Sequence, residues 1–221
     1  MYKCYILQLL MPRKVINIIF ILILSFGMLF IYLIVKQLLF QKKKTVSNIT
    51  HKIPPELLQG GYLICRHGDS LYSEWIIKNN LRDRRYSHIG IITHNKGEVN
   101  VIHADTSNRF SASGKVVEES IATYLRHARR IGIFKLQNVN PSLLEEKARN
   151  YLGLPFDWKL DLSTNDALYC SELVKKAIDD TNSPIVHSWK TIKVGNQEIV
   201  PVDAFIGIDV ADELYDWSFS K

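Results

Sequence analysis

The longest apolar run in the chain extends from Val15 to Val35, with the sequence VINIIFILILSFGMLFIYLIV and no charged residue. At about 1.5 Å per residue, a helix of this length spans about 30 Å, the thickness of a bilayer's hydrocarbon core. A buried core helix rarely stays apolar on every face. A cleaved signal peptide would end in a small-residue cleavage site, whereas KQLLFQKKK follows here. The pattern therefore predicts an uncleaved transmembrane anchor at 15–35, behind a short flank at 1–14.

After the anchor, the pattern changes to short apolar stretches separated by polar and turn residues. The composition of residues 36–54 predicts a basic and polar linker. Residues 55–221 are numerous enough to form one domain with a hydrophobic core. Short stretches between turn residues predict strands, and apolar residues at helical spacing predict helices. The predicted strands are 60–66, 86–94, 98–105, 130–136 and 197–205. The predicted helices are 70–81, 141–153, 170–180 and a short one within 209–219. Strands and helices are segregated along the chain, so the predicted fold class is α+β.

Charge is distributed unevenly along the sequence. Seven of the 28 Lys and Arg residues lie in the first fifty positions, which contain no Asp or Glu. The remainder is close to neutral, with 21 basic and 22 acidic residues. The net charge of +6 therefore belongs to the flanks of a membrane span, and it argues against nucleic acid as a partner. Basic residues lie on both sides of the span, so the positive-inside rule does not orient it.

Cysteine use and short motifs restrict the chemistry. The three cysteines, Cys4, Cys65 and Cys170, are odd in number and sparse, which argues against a disulfide framework. Cys65 falls within a predicted strand and is interpreted as structural. The sequence contains neither a G-x-G-x-x-G pattern nor a P-loop, and no cofactor is predicted.

Cys170 is placed by the pattern at the first turn of the predicted helix 170–180. Leu173 and Val174 follow it at helical spacing, so the thiol belongs to the apolar face that meets the sheet. The positive end of a helix lowers the pKa of a thiol, although Glu172 in the same turn would oppose this. A free cysteine in such a position can also be an inert core residue. A nucleophilic role therefore needs a base nearby.

His88 opens the core part of the predicted strand 86–94 and His103 lies near the end of the next strand, whereas His94 lies at the turn. If strands 86–94 and 98–105 pair through a turn at 95–97, His88 faces His103 across the pair. One imidazole could then take the thiol proton while the other orients it, or both could be satisfied histidines at a sheet edge. A zinc site made of these histidines and Cys170 lacks CxxC or HExxH spacing, so no metal is predicted.

Three blocks in this order resemble a known family: SHIGI at 87–91, YLGLPFDWKLDLS at 151–163 and LYCSELV at 168–174. They are similar to the YiiX/YebB-like group of NlpC-type papain-like cysteine hydrolases, and the resemblance covers roughly 60–180. These proteins are circularly permuted, with the histidine before the cysteine, as in lecithin retinol acyltransferase. The resemblance implies a permuted papain-like fold with an antiparallel sheet or barrel packed on helices.

The resemblance also implies roles for individual residues. Cys170 would be the nucleophile and His88 the general base, with His103 in the third polar position. Many bacterial members would have Glu at that position, whereas the acyltransferase branch has His. Asp105 is held in reserve for the orienting role. Tyr169 is predicted to help stabilise an oxyanion beside the Cys170 backbone N–H.

These observations predict a membrane-anchored cysteine hydrolase, a thiol amidase or peptidase that works through an acyl-enzyme. Its substrate would be a cell-wall or other peptide. A lipid acyltransferase or lipid hydrolase of the same fold is the first alternative, and an inactive binding module is the second. Family habit places the catalytic domain of this single-pass protein on the extracytoplasmic side. The oligomeric state and the role of 181–221 stay open.

Overall fold

The structure is a computed structural model that describes residues 13–50, 52–69, 71–106, 114–184 and 189–218. Most of the flank predicted at 1–14 lies outside these ranges. The chain divides into two compact units, Met1–Thr45 and Val46–Lys221.

The described part of the first unit is helix, and this helix, α1 (Arg13–Thr50), continues beyond the end of the unit at Thr45. Within it, Asn17–Lys36 is long and apolar enough to cross a membrane, with a mean hydropathy of 3.0, and its side chains are exposed. The helix extends through 36–50, most of the segment predicted as a linker. Leucine, glutamine and lysine dominate the start of that segment, and such residues, which have no branch at Cβ, have high helix propensity.

The second unit begins its regular structure with a 3-10 turn at Pro55–Leu57. Its strands are β1 (Leu63–His67), β2 (His88–Asn95), β3 (Glu98–Asp105), β4 (Lys115–Ser120), β5 (Arg130–Leu136), β6 (Ile192–Val194), β7 (Gln197–Ile199) and β8 (Ala211–Ser218). Its helices are α2 (Leu71–Lys78), α3 (Ile121–Tyr124), α4 (Pro141–Arg149) and α5 (Cys170–Asp179), with 3-10 turns at Leu125–His127 and Val202–Phe205.

Six strands form one antiparallel sheet in the order β4-β3-β2-β1-β5-β8, and β6 pairs with β7 in a separate hairpin. One face of the sheet packs on α4 and α5, with Leu63, Cys65 and Ile91 among its buried residues. The other face buries Ile64, Ile92 and neighbouring side chains against α3. The predicted α+β class, an antiparallel sheet packed on helices, is confirmed. Cys65 is completely buried in this core.

The β2–β3 hairpin has the predicted strands but a different register. Its loop consists of Lys96 and Gly97, both with positive φ, and the closing pair is Asn95–Glu98. Ile91 consequently lies opposite Ile102, which places His103 opposite Gly90. The prediction that His88 faces His103 directly is therefore wrong by two residues. A two-residue loop of this kind matches the twist of the strands, whereas the prediction assumed a three-residue turn.

The prediction of a short helix within 209–219 is also wrong, because this segment contains strand β8. It pairs with β5 along its length, and its Asp216 carboxylate accepts hydrogen bonds from Arg130 Nε (2.7 Å) and Tyr86 Oη (2.8 Å). These partners are distant in sequence, and their pairing determines the strand conformation in spite of the helical spacing of apolar residues in 209–219. Strand β4, which the sequence pattern did not predict, covers the opposite edge by pairing with β3.

Candidate active site

Cys170 is the first residue of α5, as the sequence predicts, and its side chain is 7% exposed. Two hydrogen bonds to Val200 hold the start of this helix. The Val200 N–H donates to Tyr169 Oη (2.9 Å), and Ser171 Oγ donates to the Val200 carbonyl oxygen (2.6 Å). Because these bonds flank Cys170 in sequence, they fix the backbone that carries the thiol.

Burial raises the pKa of the Cys170 thiol above its ordinary value, and the backbone N–H groups of Ile89 and Ser171 offset this only in part. The lowering of the thiol pKa by the helix N-terminus is therefore outweighed by burial. The desolvation free energy of the thiolate is larger here than the stabilisation that the local N–H dipoles give it. At neutral pH the resting group is a thiol beside the backbone of β2.

His88 and His103 lie on the same face of the β2–β3 hairpin as diagonal neighbours. His88 Nε2 is 2.9 Å from His103 Nδ1, and His103 Nε2 is 3.0 Å from Glu119 Oε1. The fully buried Tyr124 packs against both imidazoles, with ring centroids 5.7 Å from His88 and 4.9 Å from His103. The hairpin and β4 thus assemble a chain of three side chains, His88–His103–Glu119.

The hydrogen bonds assign the tautomers of both histidines. Since a carboxylate only accepts, His103 donates its Nε2–H to Glu119, and its Nδ1 carries a lone pair. That lone pair accepts the Nε2–H of His88, which leaves His88 Nδ1 unprotonated. Burial lowers the pKa of both imidazoles, and Arg66 lowers them further. His88 is therefore a neutral group with one free basic nitrogen.

Cys170 and His88 line the same cavity, which has a volume of about 680 Å³. Charged side chains, including Arg66 and Glu119, also reach it. Aromatic and aliphatic side chains form much of the remaining wall: Tyr72, Trp75, Ile76, Phe156, Trp158 and Leu160. The site can accept a substrate with both a polar and an apolar part, next to a thiol and a base.

Three further residues line the cavity: Asp105, Glu119 and Tyr169. Asp105 lines the cavity and raises the pKa of His103, but the hydrogen-bonded partner of His88 is His103. Tyr169 also lines the cavity, and its hydroxyl oxygen already accepts the Val200 N–H. Their assigned roles stay predictions. Sequence reasoning missed Glu119 because β4 carried no recognisable strand signal.

Glu172, two residues after Cys170, is completely buried on α5. Burial raises the pKa of its carboxyl group to about 7, and nearby Asp157 adds to this. Lys176 acts in the opposite direction, with its Nζ 3.6 Å from Glu172 Oε1. The folded domain therefore contains a carboxyl group that ionises with difficulty.

This raised pKa predicts that stability falls as pH rises. An unfolded glutamate ionises near pH 4.5, so between that pH and about 7 the folded state binds more protons than the unfolded state. The free energy of unfolding of the wild type should drop by about 2–3 kcal/mol more than that of Glu172→Gln between pH 5 and pH 8. Urea denaturation of the full chain in detergent measures this difference. Glu146→Gln, at an exposed position, should behave like the wild type; parallel pH curves for wild type and Glu172→Gln would contradict the prediction.

Comparisons with known proteins confirm the predicted family resemblance. A family model described as permuted papain-like amidase enzyme, YaeF/YiiX, C92 family, matches residues 64–200. Among solved structures, the chain is similar to the crystal structure of the metalloprotein YiiX from Escherichia coli O157:H7. The TM-score is 0.58 with 17% sequence identity, and the match covers 72% of this chain and 98% of that one. At this identity the likeness concerns the fold. No curated protein matches the sequence.

Proposed function

Because this chain belongs to the YaeF/YiiX family of permuted papain-like amidases, we propose that it is a membrane-anchored cysteine amidase with Cys170 as its nucleophile. One observation carries this proposal. The His88–His103–Glu119 chain leaves an unprotonated nitrogen on His88, and His88 lines the cavity that also contains Cys170. A thiol, a neutral base and an orienting group are the parts that covalent acyl transfer needs.

The proposed reaction starts from a neutral pair. His88 Nδ1 takes the Cys170 proton while the sulfur attacks the amide carbonyl and forms a C–S bond. The tetrahedral intermediate then breaks its C–N bond, and the imidazolium returns the proton to the leaving amine. His88 next deprotonates a water that attacks the thioester, which releases the acid and restores the thiol. Glu119 stabilises the transient imidazolium charge through His103.

The oxyanion of the tetrahedral intermediate needs hydrogen-bond donors. The backbone N–H groups of Cys170, Ser171 and Ile89, which lower the pKa of the thiol, are placed around the sulfur. Tyr169 remains a candidate donor, because its hydroxyl accepts from Val200 and keeps its own proton. We assign the backbone groups first, since α5 and β2 hold them in place.

The related YiiX is described as a metalloprotein, which raises the question of a metal in this chain. Within the described residues, no group of three or more His, Cys, Asp or Glu side chains could hold a metal ion. Both ring nitrogens of His103 are already engaged. The side chains described do not fit a metal site, and the proposed reaction uses none.

The apolar α1 segment Asn17–Lys36 supports a single-pass anchor. The extracytoplasmic side proposed for the catalytic domain follows family habit, since the charges that flank the span are balanced. Peptides, including cell-wall peptides, are the first substrate class proposed. The apolar wall of the cavity favours lipid-linked acyl groups as a second class, for which an acyltransferase or lipid hydrolase would be the activity. An inactive binding module would have no use for the unprotonated His88 nitrogen.

Trapping the acyl-enzyme tests the proposal. The full chain in detergent is mixed with 4-nitrophenyl hexanoate and analysed by intact and peptide mass spectrometry. We expect one hexanoyl group on Cys170, retained in Cys65→Ser and absent in Cys170→Ala. Acylation that is equal in wild type and His88→Ala, or that falls on other residues, would overturn the proposal.

A further inference from the structure

Arg66 places a positive charge beside the proposed base, and we propose that it binds a carboxylate of the substrate. This inference deepens the proposed amidase function and rests on it. Arg66 belongs to β1, where it lies directly opposite His88 of β2, and it lines the cavity that contains Cys170. A substrate with a carboxylate near its scissile amide could therefore be oriented by this residue.

Among the described residues, the guanidinium of Arg66 is held in place by Tyr124 and not by a carboxylate. It lies over the ring of Tyr124, 4.6 Å from the centroid, and its Nη1 donates to the Tyr124 carbonyl oxygen. Its Nε is buried and has no hydrogen-bond partner among the described residues. Over the same ranges, no carboxylate lies within ion-pair distance of Arg66, whereas Arg85, Arg130 and Arg149 are each paired with at least one carboxylate.

An unpaired guanidinium in a half-buried site is costly unless an anion neutralises it. Asp69, Asp105 and Glu119 also line the cavity, and the last two raise the pKa of His103. At His88 the main charged influence is Arg66, which lowers the pKa of that imidazole. Arg66 is therefore the charged side chain placed directly opposite the base. Arginine matches the planar carboxylate well, because its N–H groups form a fixed fork.

An apolar part of the cavity wall defines the other part of the substrate. Tyr72 and Trp75 of α2 stack with ring centroids 5.7 Å apart, and Trp158, which is 48% exposed, packs 4.8 Å from Phe156. Together with Ile76 and Leu160, these side chains form an apolar wall. The geometry fits an amide between an apolar acyl group and an amino acid that keeps its carboxylate, that is, an N-acyl amino acid.

Equilibrium binding to the Cys170→Ala variant tests this without turnover. The full chain in detergent is titrated by calorimetry with N-hexanoylglycine and, separately, with the neutral isostere N-hexanoylglycinamide. We expect the acid to bind at least about tenfold more tightly than the amide. Adding Arg66→Gln should reduce this ratio to about one, and Arg66→Lys should keep part of it because the charge remains. N-propionylglycine should bind more weakly than the hexanoyl compound.

Arg126 provides the matched control, because it also lines the cavity but has an exposed side chain. Arg126→Gln should leave the acid-to-amide ratio unchanged. Equal binding of acid and amide to the protein with Arg66 intact would overturn the inference, whether or not the Arg66 variants fold. So would a ratio that depends on Arg126. If Cys170 is acylated by 4-nitrophenyl hexanoate but the acid-to-amide ratio is one, the assignment of Arg66 to a carboxylate fails and the amidase proposal stands. If the acid-to-amide ratio is high but Cys170 is not acylated, the amidase proposal fails and the carboxylate site stands.

Discussion

His88→Ala is expected to lower the rate of Cys170 acylation by about 10²–10⁴-fold, the usual contribution of a general base. The effect should be this large because the buried thiol has a raised pKa and is not ionised before it reacts. Without the His88 nitrogen, the sulfur must attack as a poor neutral nucleophile or wait for a rare thiolate. Single-turnover acylation by 4-nitrophenyl hexanoate, followed by mass spectrometry, gives the rate.

The control for this prediction is His94→Ala on the same strand. His94 lies near the end of β2 with an exposed side chain, so its removal should leave the acylation rate unchanged. His103→Gln should cause a smaller loss than His88→Ala, because it disturbs the tautomer and orientation of the base without removing it. Added imidazole should partly restore His88→Ala. An acylation rate of His88→Ala within threefold of the wild type would rule out the assigned base.

Gly61→Ala is expected to prevent stable folding of the domain, with a cost above about 4 kcal/mol in the free energy of unfolding. Gly61 has a φ of +79°, and its N–H donates to the Ile92 carbonyl oxygen at 2.8 Å. A Cβ atom at this position would lie 1.9 Å from the backbone carbonyl oxygen of Pro141, the first residue of α4. Backbone cannot move aside as a flexible side chain can, so α4 would have to leave the sheet.

Gly97→Ala provides the matched comparison. Gly97 has a similar φ of +82°, but a Cβ atom there would meet nothing within 4 Å. This variant should lose only about 1 kcal/mol, the conformational cost of a positive φ. Soluble yield and thermal unfolding of the two variants separate the cost of close packing from that of backbone conformation. Equal stability of the two variants would show that α4 is not tightly packed against Gly61.

The elements that the sequence predicted well are those fixed by local patterns. Strand β3 was predicted with its observed ends, and β2 to within two residues, because apolar runs there stop at the turn residues Lys96 and Gly97. Helix α5 starts at Cys170 as its periodicity indicates. The predicted register of the hairpin differs from the observed one by two residues, and the two-residue loop in place of a three-residue turn explains one of them. A change of one residue in such a loop shifts which side chains face each other.

The elements that the sequence did not predict depend on distant partners. Strand β8 has Leu214 and Trp217 at a helical spacing, and only its pairing with β5 makes it a strand. Strand β4 is rich in charged residues and is stabilised by β3, so Glu119 was not recognised as part of the site. Arg66 was overlooked for a related reason. Its place beside His88 follows from the pairing of β1 with β2, which local sequence does not encode.

The pairing of β5 with β8 has a further consequence for how the protein is made. All of α4, α5, β6 and β7 lie between these strands, so the sheet acquires its last strand only after a long loop has closed. Such nonlocal pairing is slow because the chain loses entropy when the loop closes, before the stabilising contacts between the strands have formed. Cys170 lies within that loop, and its thiol is unprotected until α5 packs on β2 and β3. We therefore expect the nucleophile to be most vulnerable to oxidation during biogenesis, before the finished domain buries it.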